Sequence, residues 1–542
     1  MKYSIAFLIF FISIIVRPCT NVIVTRNAST DGSNLVSYSA DSHDLYGELY
    51  HWPAMRYADG TMLDIVEWDT GKHLGQIRQA AQTYAVIGNM NEYQVTIAET
   101  TFGGRPELRD STGILDYGSL MYIALQRSRT AREAIGVMTQ LVGEYGYCSA
   151  GETFTIADAQ EIWLMEMTGK GAGNKGALWV ALRVPDGMVT AHANQSRITT
   201  FPLHEPEECL YADDVIDYAK DKKWFDGKDK AFSFADAYAP QDFESIRFCE
   251  ARVWSAYRHL NRQLAETLKD DILQATGKRL PLFIEPENKI SHRDVMTIMR
   301  DHYEGTELSL SDDVGAGPFG VPYRFRPLTW QVNDTTYFHE RAIATQQTGF
   351  TFVAQMREWL AAPIGGVLWF GVDDANTTVY VPMYCGITSI PAAYRTGSLI
   401  AFDGEAAFWV FNQVAHLGYH RYGVMIDDIR KAQKELEDKF NDYGGAIDQA
   451  AHAMYQRSPE LARGFLTEYS HMQAQLTVQR WKALYEFLFM KNLDGNLHPE
   501  VNGRFLKDPN GRAVPAQHPG YPPSYYEQIV NQHKDQFRLK QP

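Results

Sequence analysis

The run Val16-Arg17-Pro18-Cys19-Thr20-Asn21 contains the end of a short apolar leader. The interpretation of the whole chain depends on this junction. Lys2 gives the leader a positive start, and the stretch from Ile5 to Val16 is apolar apart from Ser13. A helix that spans a bilayer needs roughly 20 such residues, which is longer than this stretch. Residues 1–18 are therefore predicted to be a secretory signal peptide or a propeptide.

Cleavage before Cys19 would make cysteine the first residue of the mature chain. A free thiol has a pKa of about 8.5 and an α-amine one of about 7.7–8.0, so the amine can take the thiol proton and later return it to a leaving group. Pro18 is unusual before a signal-peptidase site, where small residues are preferred. Removal of the leader by the protein's own thiol, a retained amphiphilic anchor and an uncleaved, internal Cys19 are the alternatives.

The composition favours an exported globular protein, periplasmic or secreted. The 542 residues are 45% hydrophobic, which is enough for a large core. The net charge of -15 argues against nucleic acid as a partner, because phosphate binding relies on Lys and Arg. No segment after the leader is apolar enough for stable membrane insertion. The five cysteines match neither a zinc site nor a disulfide framework, and apart from Cys19 they are predicted to form up to two bridges or to be buried free thiols.

Alternating segments joined by turn residues predict hairpins, and hairpins in series build antiparallel sheet. The predicted pairs are 22–24 with 35–38, 83–88 with 94–101, 154–157 with 162–167, 178–184 with 188–193, and 367–372 with 377–382. Thr130 to Glu133 predicts a capped helix start, and the pattern is helical from about Glu405 onward. The expected class is α+β, with a leader at 1–18, a catalytic region at 19–400, a helical region at 401–497 and an extended Pro/Gly-rich arm at 498–542.

Other familiar motifs are absent from the sequence. The glycine-rich run 169–176 lacks the Lys-Ser/Thr ending of a phosphate loop and joins two predicted strands, so it is expected to be a hairpin loop. Neither His-Glu-x-x-His nor Gly-x-Ser-x-Gly occurs. The chemistry is therefore expected to need no metal and no organic cofactor.

Several separated blocks carry a family resemblance in the right order, over roughly residues 19–492. They are Cys19-Thr20-Asn21, Asp31-Gly32-Ser33 with Asp41, Ala98–Gly103, Gly151–Asp158, Ala191–Ile198 and Arg252-Val253-Trp254. Together they resemble the bacterial dipeptidase A (dipeptidase D) family of N-terminal-nucleophile (Ntn) cysteine hydrolases, which is related to the secernins. The resemblance implies an αββα sandwich, in which two stacked antiparallel sheets are covered by helices and the terminal cysteine lies at a strand end between them.

The same resemblance implies roles for individual catalytic residues. Cys19 would be the nucleophile with its own amine as base, and Asp41 would orient that amine. Asn194 would donate its side-chain amide to the oxyanion, and Arg252 would support the site electrostatically.

Substrate contacts are expected from three further residues in the familial blocks. Glu152 would meet the substrate ammonium, Arg197 would meet its carboxylate, and Thr101 would line the substrate site. Relatives often have an arginine three residues before the aspartate, where this chain has Tyr38, so a positive charge near the thiol is missing. Thr101 also stands where penicillin V acylase relatives have asparagine, which favours a peptide over an acyl substrate.

The expected function is that of a secreted cysteine dipeptidase that hydrolyses short peptides through an acyl-enzyme. Its partners would be peptide substrates, and a homo-oligomer is left open. One alternative is an amidase of acylated amino acids or bile-salt-like amides, which would need a larger apolar pocket. Another alternative is an exported binding protein without catalytic activity.

Overall fold

The computed structural model describes residues 19–540, so the predicted leader lies outside the described residues. Between residues 19 and 540, no helix combines the length and apolar character needed to cross a bilayer. All five cysteines fall in this range, and each is a buried free thiol. Of the two cysteine alternatives, the structure therefore shows the one without bridges.

One sheet has six antiparallel strands in the order β14-β1-β2-β18-β19-β20. Its strands, numbered along the chain, are β1 Asn21–Val24, β2 Asn34–Asp41, β14 Val189–His192, β18 Thr348–Met356, β19 Gly366–Val372 and β20 Val381–Tyr384. Every residue of these strands is buried, as expected for a sheet covered on both faces.

A second sheet has eight antiparallel strands in the order β15-β13-β12-β11-β10-β9-β8-β3. They are β3 His51–Trp52, β8 Val86–Ile87, β9 Met90–Asn91, β10 Thr96–Gly103, β11 Gly151–Ala157, β12 Ile162–Thr168, β13 Leu178–Arg183 and β15 Cys209–Tyr211. The remaining strands form two-stranded ribbons: β4 Met55–Arg56 with β7 Gln82–Thr83, β5 Met62–Val66 with β6 His73–Arg78, β16 Thr329–Val332 with β17 Thr335–Phe338, and β21 Glu500–Val501 with β22 Arg504–Phe505.

Helices cover both sheets. The α-helices among residues 19–540 are α1 Tyr117–Arg127, α2 Ala131–Tyr145, α3 Val215–Asp221, α4 Phe234–Tyr238, α5 Ala251–Leu260, α6 Arg262–Leu273, α7 His292–Ile298, α8 Ala362–Gly365, α9 Ala407–His420, α10 Tyr422–Tyr455, α11 Pro459–Lys491 and α12 Pro523–His533, of which α12 has no buried residue. Helices α1 and α2 pack on the eight-stranded sheet, whereas α5, α7 and α9 to α11 contact strands of the six-stranded sheet.

Alternation along β12 shows how the layers are stacked. Trp163 and Met165 belong to the apolar cluster that contains α1 and α2, whereas Leu164 belongs to the cluster shared with the six-stranded sheet. Successive side chains of a strand point to opposite faces, so the eight-stranded sheet lies between the helix pair and the other sheet. The predicted α+β class with stacked antiparallel sheets and helices is therefore confirmed.

The predicted helix start at Thr130 is also confirmed. The Thr130 side chain accepts a hydrogen bond from the Glu133 main-chain N–H at 3.2 Å, and α2 begins at the next residue. The Glu133 carboxylate accepts the N–H of Arg129, one residue before the cap. The side chains of Ile135 and Met138 then face the sheet and are buried.

The predicted hairpin of 178–184 with 188–193 is wrong. Strand β13 pairs with β12 and β15 in one sheet, whereas β14 pairs with β1 in the other, with Asn21 opposite His192. The turn is real, since Gly187 has a φ of 88° and its N–H donates to Thr25 Oγ1 at 2.9 Å. It carries the chain from one sheet to the other, and a turn motif by itself does not specify whether its flanking strands pair.

The structure also differs from the prediction between residues 83 and 101. The segment that joins the predicted strands 83–88 and 94–101 contains an additional strand, β9. The side-chain oxygen of Asn91 accepts the N–H groups of Tyr93 and Val95, so the tight turn lies after β9. The Asn91 amide also donates to the carbonyl oxygens of Leu125 and Ser128 at the end of α1. These side-chain bonds replace the local backbone pattern that the sequence indicated.

The C-terminal part is helical from α9 to α11, as the pattern predicted. Within α11, Trp481 is fully buried and stacks on Phe411 of α9 with ring centroids 5.0 Å apart. Beyond α11, the segment from 498 to 540 contains only the β21–β22 ribbon, α12 and a final 3₁₀ turn, and no residue of α12 is buried.

Replacement of Trp481 by alanine tests whether this helical layer is part of the folded core. We expect Trp481→Ala to lower the free energy of unfolding by about 3–5 kcal/mol, because it leaves a cavity at the α9–α11 contact. The control is Leu476→Ala on the same helix, whose side chain is 48% exposed and which should change the free energy of unfolding by less than about 1 kcal/mol. Urea denaturation measures the free energy of unfolding of both variants. Equal losses in the two variants would contradict the packing of Trp481 between α9 and α11.

Candidate active site

Cys19 lies at the start of the six-stranded sheet, immediately before β1, and is only 4% exposed. Its main-chain nitrogen donates to Asn194 Oδ1 at 2.9 Å, and its carbonyl oxygen accepts from Arg252 Nη1 at 2.7 Å. The sulfur lies 3.6 Å from Glu99 Oε1 and 3.8 Å from the Tyr38 hydroxyl. Both the backbone and the thiol are thus held by polar partners from distant parts of the chain.

Asn194 follows the end of β14 in a left-handed conformation, with φ of 62°. Its Oδ1 accepts hydrogen bonds from Cys19 N and from Arg252 Nη2, and its Nδ2 donates to the carbonyl oxygen of Thr101 at 2.7 Å. These partners fix which side-chain atom is oxygen and which is nitrogen. The structure brings Asn194 to Cys19, and its donation to an oxyanion stays a prediction.

Arg252 of α5 is fully buried and connects these elements. A guanidinium has five N–H donors, and here they meet oxygen atoms on every side. The acceptors are Cys19 O, Thr20 Oγ1, Ala193 O, Asn194 Oδ1 and Phe248 O, at 2.7–3.1 Å. The side chain therefore holds the start of β1 against the end of β14, which is a structural basis for the supporting role predicted for it.

Asp41 is the last residue of β2 and is 1% exposed. Its carboxylate accepts from Thr348 Oγ1 at 2.7 Å and from Ser39 Oγ at 3.2 Å. Burial raises the pKa of Asp41 to about 7, although the Thr348 hydrogen bond and the charge of Arg252 oppose that shift. In this structure the Cys19 nitrogen contacts Asn194 and not Asp41, so orientation of the amine by Asp41 stays a prediction.

Glu99, in the middle of β10, is a site residue that sequence reasoning missed. It is 2% exposed, and its Oε1 accepts a hydrogen bond of 2.5 Å from the Tyr38 hydroxyl. Thr101 was singled out, and Glu99 lies two positions before it, on the same face of the strand. A charged residue at a buried strand position was the signal that could have identified it.

Thr101 and Glu152 face each other across the β10–β11 pair. Thr101 Oγ1 donates to Glu152 Oε1 at 2.8 Å, and Glu152 also interacts with Glu99. Burial raises the pKa of both glutamates, and the charge of Glu99 raises the pKa of Glu152 further. Glu152 lies behind Thr101, one residue removed from the thiol.

The structure does not bring Arg197 to this site. Its guanidinium forms an ion pair with Glu250 at 3.0 Å and donates to the carbonyl oxygens of Ala191 and Pro281. Both charged side chains are 3% exposed. Arg197 therefore neutralises a buried carboxylate beneath β14, and its predicted contact with a substrate carboxylate has no support in this geometry.

A cavity opens beside the thiol, and its empty space, including the part open to solvent, is about 460 Å³. Its acidic members are Asp41, Asp69 and Glu99, and none of the described residues that line it is a lysine or an arginine. Its aromatic members are Tyr38, Trp68, Tyr117, Tyr122 and Phe350. Carboxylates and aromatic faces both attract cations, so the cavity suits a small, positively charged group.

The same carboxylates act on the thiol itself. Burial raises the pKa of Cys19 well above its ordinary value, and the charges of Glu99 and Asp41 raise it further. Hydrogen bonds from the Asp41 backbone and from Tyr38 oppose these effects. The thiol is therefore protonated at neutral pH, and a nucleophilic reaction needs a base in direct reach of the sulfur.

The pH dependence of Cys19 alkylation tests this electrostatic arrangement. We expect the rate with iodoacetamide to keep rising at pH values above the ordinary pKa of a thiol, because burial and the two carboxylates favour the protonated form. Glu99→Gln removes a negative charge from the sulfur's neighbourhood and should move the profile to lower pH. The matched control is Glu435→Gln on α10, whose profile should equal that of the wild type. An unchanged profile for Glu99→Gln would contradict the charge effect.

Comparison with known proteins assigns this chain to a family. The family model described as "Peptidase family C69" matches residues 46–435, a range that includes Glu99, Asn194 and Arg252 and begins after Cys19 and Asp41.

Among curated proteins, the chain is 22% identical over 84% of its length to a "Probable dipeptidase" of Latilactobacillus sakei, of which 91% is covered. It is 25% identical over 69% of its length to a "Probable dipeptidase" of Salmonella dublin, of which 82% is covered. It is also 23% identical over 62% of its length to "Dipeptidase A" of Lactobacillus helveticus, of which 62% is covered. Because the family model spans most of the chain, this protein belongs to peptidase family C69 and is a cysteine peptidase, as its sequence predicted.

Proposed function

We propose that this protein is an exported cysteine dipeptidase whose nucleophile is Cys19, exposed as the first residue after removal of residues 1–18. The observation that carries the proposal is the Cys19 environment: its nitrogen is fixed on Asn194 while its thiol faces an acidic cavity. The family assignment and the relatives named as dipeptidases support it. The stacked sheets, with the cysteine at a strand end, support an Ntn-type αββα arrangement.

The contact between Cys19 N and Asn194 Oδ1 has a direct chemical use once the leader is gone. The liberated amine would keep that hydrogen bond as donor, which leaves its lone pair available for the thiol proton. A base in the same residue as the nucleophile meets the requirement set by the raised thiol pKa. Asp41, at the end of the neighbouring strand, would stabilise the resulting ammonium.

Attack of the sulfur on the peptide carbonyl then produces a tetrahedral oxyanion. Asn194 Nδ2 donates to Thr101 O at 2.7 Å in the structure, and it would turn from that carbonyl to this oxyanion. The ammonium of Cys19 next protonates the departing amino group, and water releases the acyl half from sulfur. Arg252 takes no proton in this scheme. It holds Cys19 and Asn194 next to each other through hydrogen bonds to both.

The acidic cavity favours a peptide with a free amino terminus over an acylated substrate. Glu99 takes the place expected of Glu152 as the partner of the substrate ammonium, because Glu99 lines the cavity and Glu152 lies behind it. A fatty or steroid acyl group would bury carboxylates without compensation, which is costly. The amidase alternative is thus less well supported than the dipeptidase, and membership of a peptidase family argues against the non-catalytic alternative.

Substrate comparison tests the proposed function. Purified protein that begins at Cys19 should hydrolyse unmodified dipeptides and leave fatty-acyl amides intact, as measured by release of free amino acids. Cys19→Ala should abolish turnover while the protein stays folded by circular dichroism. Hydrolysis of acyl amides without hydrolysis of dipeptides would favour the amidase instead.

Asn194→Asp tests the oxyanion role, because aspartate keeps the side-chain shape and tolerates the left-handed backbone but lacks the N–H donor. We expect kcat for dipeptides to fall about 10²–10³-fold with a smaller change in KM. The control is Asn174→Asp in the exposed loop between β12 and β13, which should leave both constants unchanged. A rise in KM at constant kcat for Asn194→Asp would contradict donation in the transition state.

A further inference from the structure

A second cavity, of about 350 Å³, lies beside the acidic one and has the opposite charge. The charged members of its lining are Arg324, Arg326, Arg341 and Glu340, and the side chains of Gln346 and Gln347 also line it. The main-chain N–H of Ser42, which lines the acidic cavity, donates to the carbonyl oxygen of Gln347 at 2.8 Å. The linings of the two cavities therefore meet where the end of β2 lies next to the start of β18.

The charged groups of this second cavity have different partners. Arg324 forms an ion pair with Asp313 at 2.6 Å, and Glu340 is paired with Arg247, so both charges are already neutralised. Arg326 instead donates to the neutral amide oxygen of Gln347, and no carboxylate among residues 19–540 lies within ion-pair distance of it. Its side chain is exposed at the rim of the cavity.

Arg341 lies deeper in the same cavity and is 8% exposed. Burial and the positive charges of Arg252 and Arg326 lower its pKa to about 9, whereas Cys249 and Asp41 act in the opposite direction. An additional anion beside Arg326 and Arg341 would relieve this repulsion between like charges.

Asp41 marks the boundary between the two charge environments. It lines the acidic cavity together with Cys19 and Glu99, and the positive charge of Arg341 in the second cavity acts to lower the pKa of its carboxyl group. A dipeptide has the same asymmetry, with an ammonium at one end and a carboxylate at the other. Each residue of an extended chain spans at most about 3.6 Å, so both charges lie close to the single peptide bond.

Building on the proposed function, we propose that Arg326 and Arg341 bind the α-carboxylate of the leaving amino acid, while the acidic cavity holds the residue that carries the ammonium. The guanidinium fork is suited to paired hydrogen bonds with a carboxylate. A tripeptide would place its carboxylate about one residue length beyond these arginines when its first bond lies at Cys19. The cationic cavity thus selects substrates by length as well as by charge, and it supplies the carboxylate contact that was expected of Arg197.

The test compares a dipeptide that the wild type hydrolyses with the same dipeptide as its C-terminal amide and with that dipeptide extended by one residue. Loss of a charge-assisted contact is worth roughly 10–100-fold. We therefore expect kcat/KM of the wild type to fall by at least about 10-fold for the amide and for cleavage of the first bond of the tripeptide.

Arg326→Gln provides the protein side of the test, because this exposed residue can be replaced with little effect on folding. It should raise KM for the free dipeptide about 10-fold, leave kcat nearly unchanged and have no effect on the amide. Arg326→Lys should recover part of the loss. Arg480→Gln, on the surface of α11, is the matched control and should behave as the wild type.

Two results would overturn the inference while the dipeptidase activity stands: equal hydrolysis of the dipeptide and its amide by the wild type, or an equal effect of Arg326→Gln on both substrates. Failure of the proposed function is distinguishable, since the wild type would then not hydrolyse the free dipeptide at all, and the inference would fall with it.

Discussion

The buried guanidinium of Arg252 is the interaction on which the site depends. Cys19 and Asn194 lie 175 positions apart in sequence, and Arg252 donates to both of them. A buried charge is tolerated only when its donors are satisfied, and here the oxygen acceptors come from the residues just before β1, the residues just after β14 and the helical turn that precedes α5. Because these acceptors come from both strands, the arginine links the pairing of β1 with β14 to a formed site.

The electrostatics of the site follow from that geometry. Cys19 is held between sheets whose facing strands carry Asp41 and Glu99, and both carboxylates disfavour the thiolate. The neighbouring Tyr38 contributes only a neutral hydroxyl, which is bonded to Glu99, so it brings no positive charge to oppose this effect. In the proposed mechanism, the site relies on a base that becomes available only at the amino terminus. The same negative charge would serve the binding of a substrate ammonium, so one feature would both restrain the nucleophile and select the substrate.

Much of the local structure was predictable from residue patterns. The capped start of α2 and the hairpin of β11 with β12 were predicted because their turn and cap chemistry is local. The hairpin of 178–193 was wrong because the Pro185-Asp186-Gly187 turn does not determine which sheet receives the next strand. The structure shows that this crossing is what brings β14, and with it Asn194, alongside β1.

The site residues also divide into those that the sequence indicated and those that became visible only in the structure. Cys19, Asn194 and Arg252 were named through family resemblance, and the structure brings them together. Glu99 was missed because a single buried acid in a strand leaves no periodic signal. Arg197 was assigned to the substrate because its partner Glu250, 53 positions away, could not be inferred from sequence. Ion pairs between distant segments are set by tertiary packing and therefore become visible only in the folded chain.

The identity of the first residue in active enzyme tests the central claim most directly. Mass spectrometry of the intact protein, together with Edman degradation of the fraction that hydrolyses dipeptides, identifies that residue. We expect a chain that starts at Cys19, since only then does an amine lie next to the thiol. Full activity in protein that still has Pro18 attached to Cys19, or that starts at any other position, would contradict it.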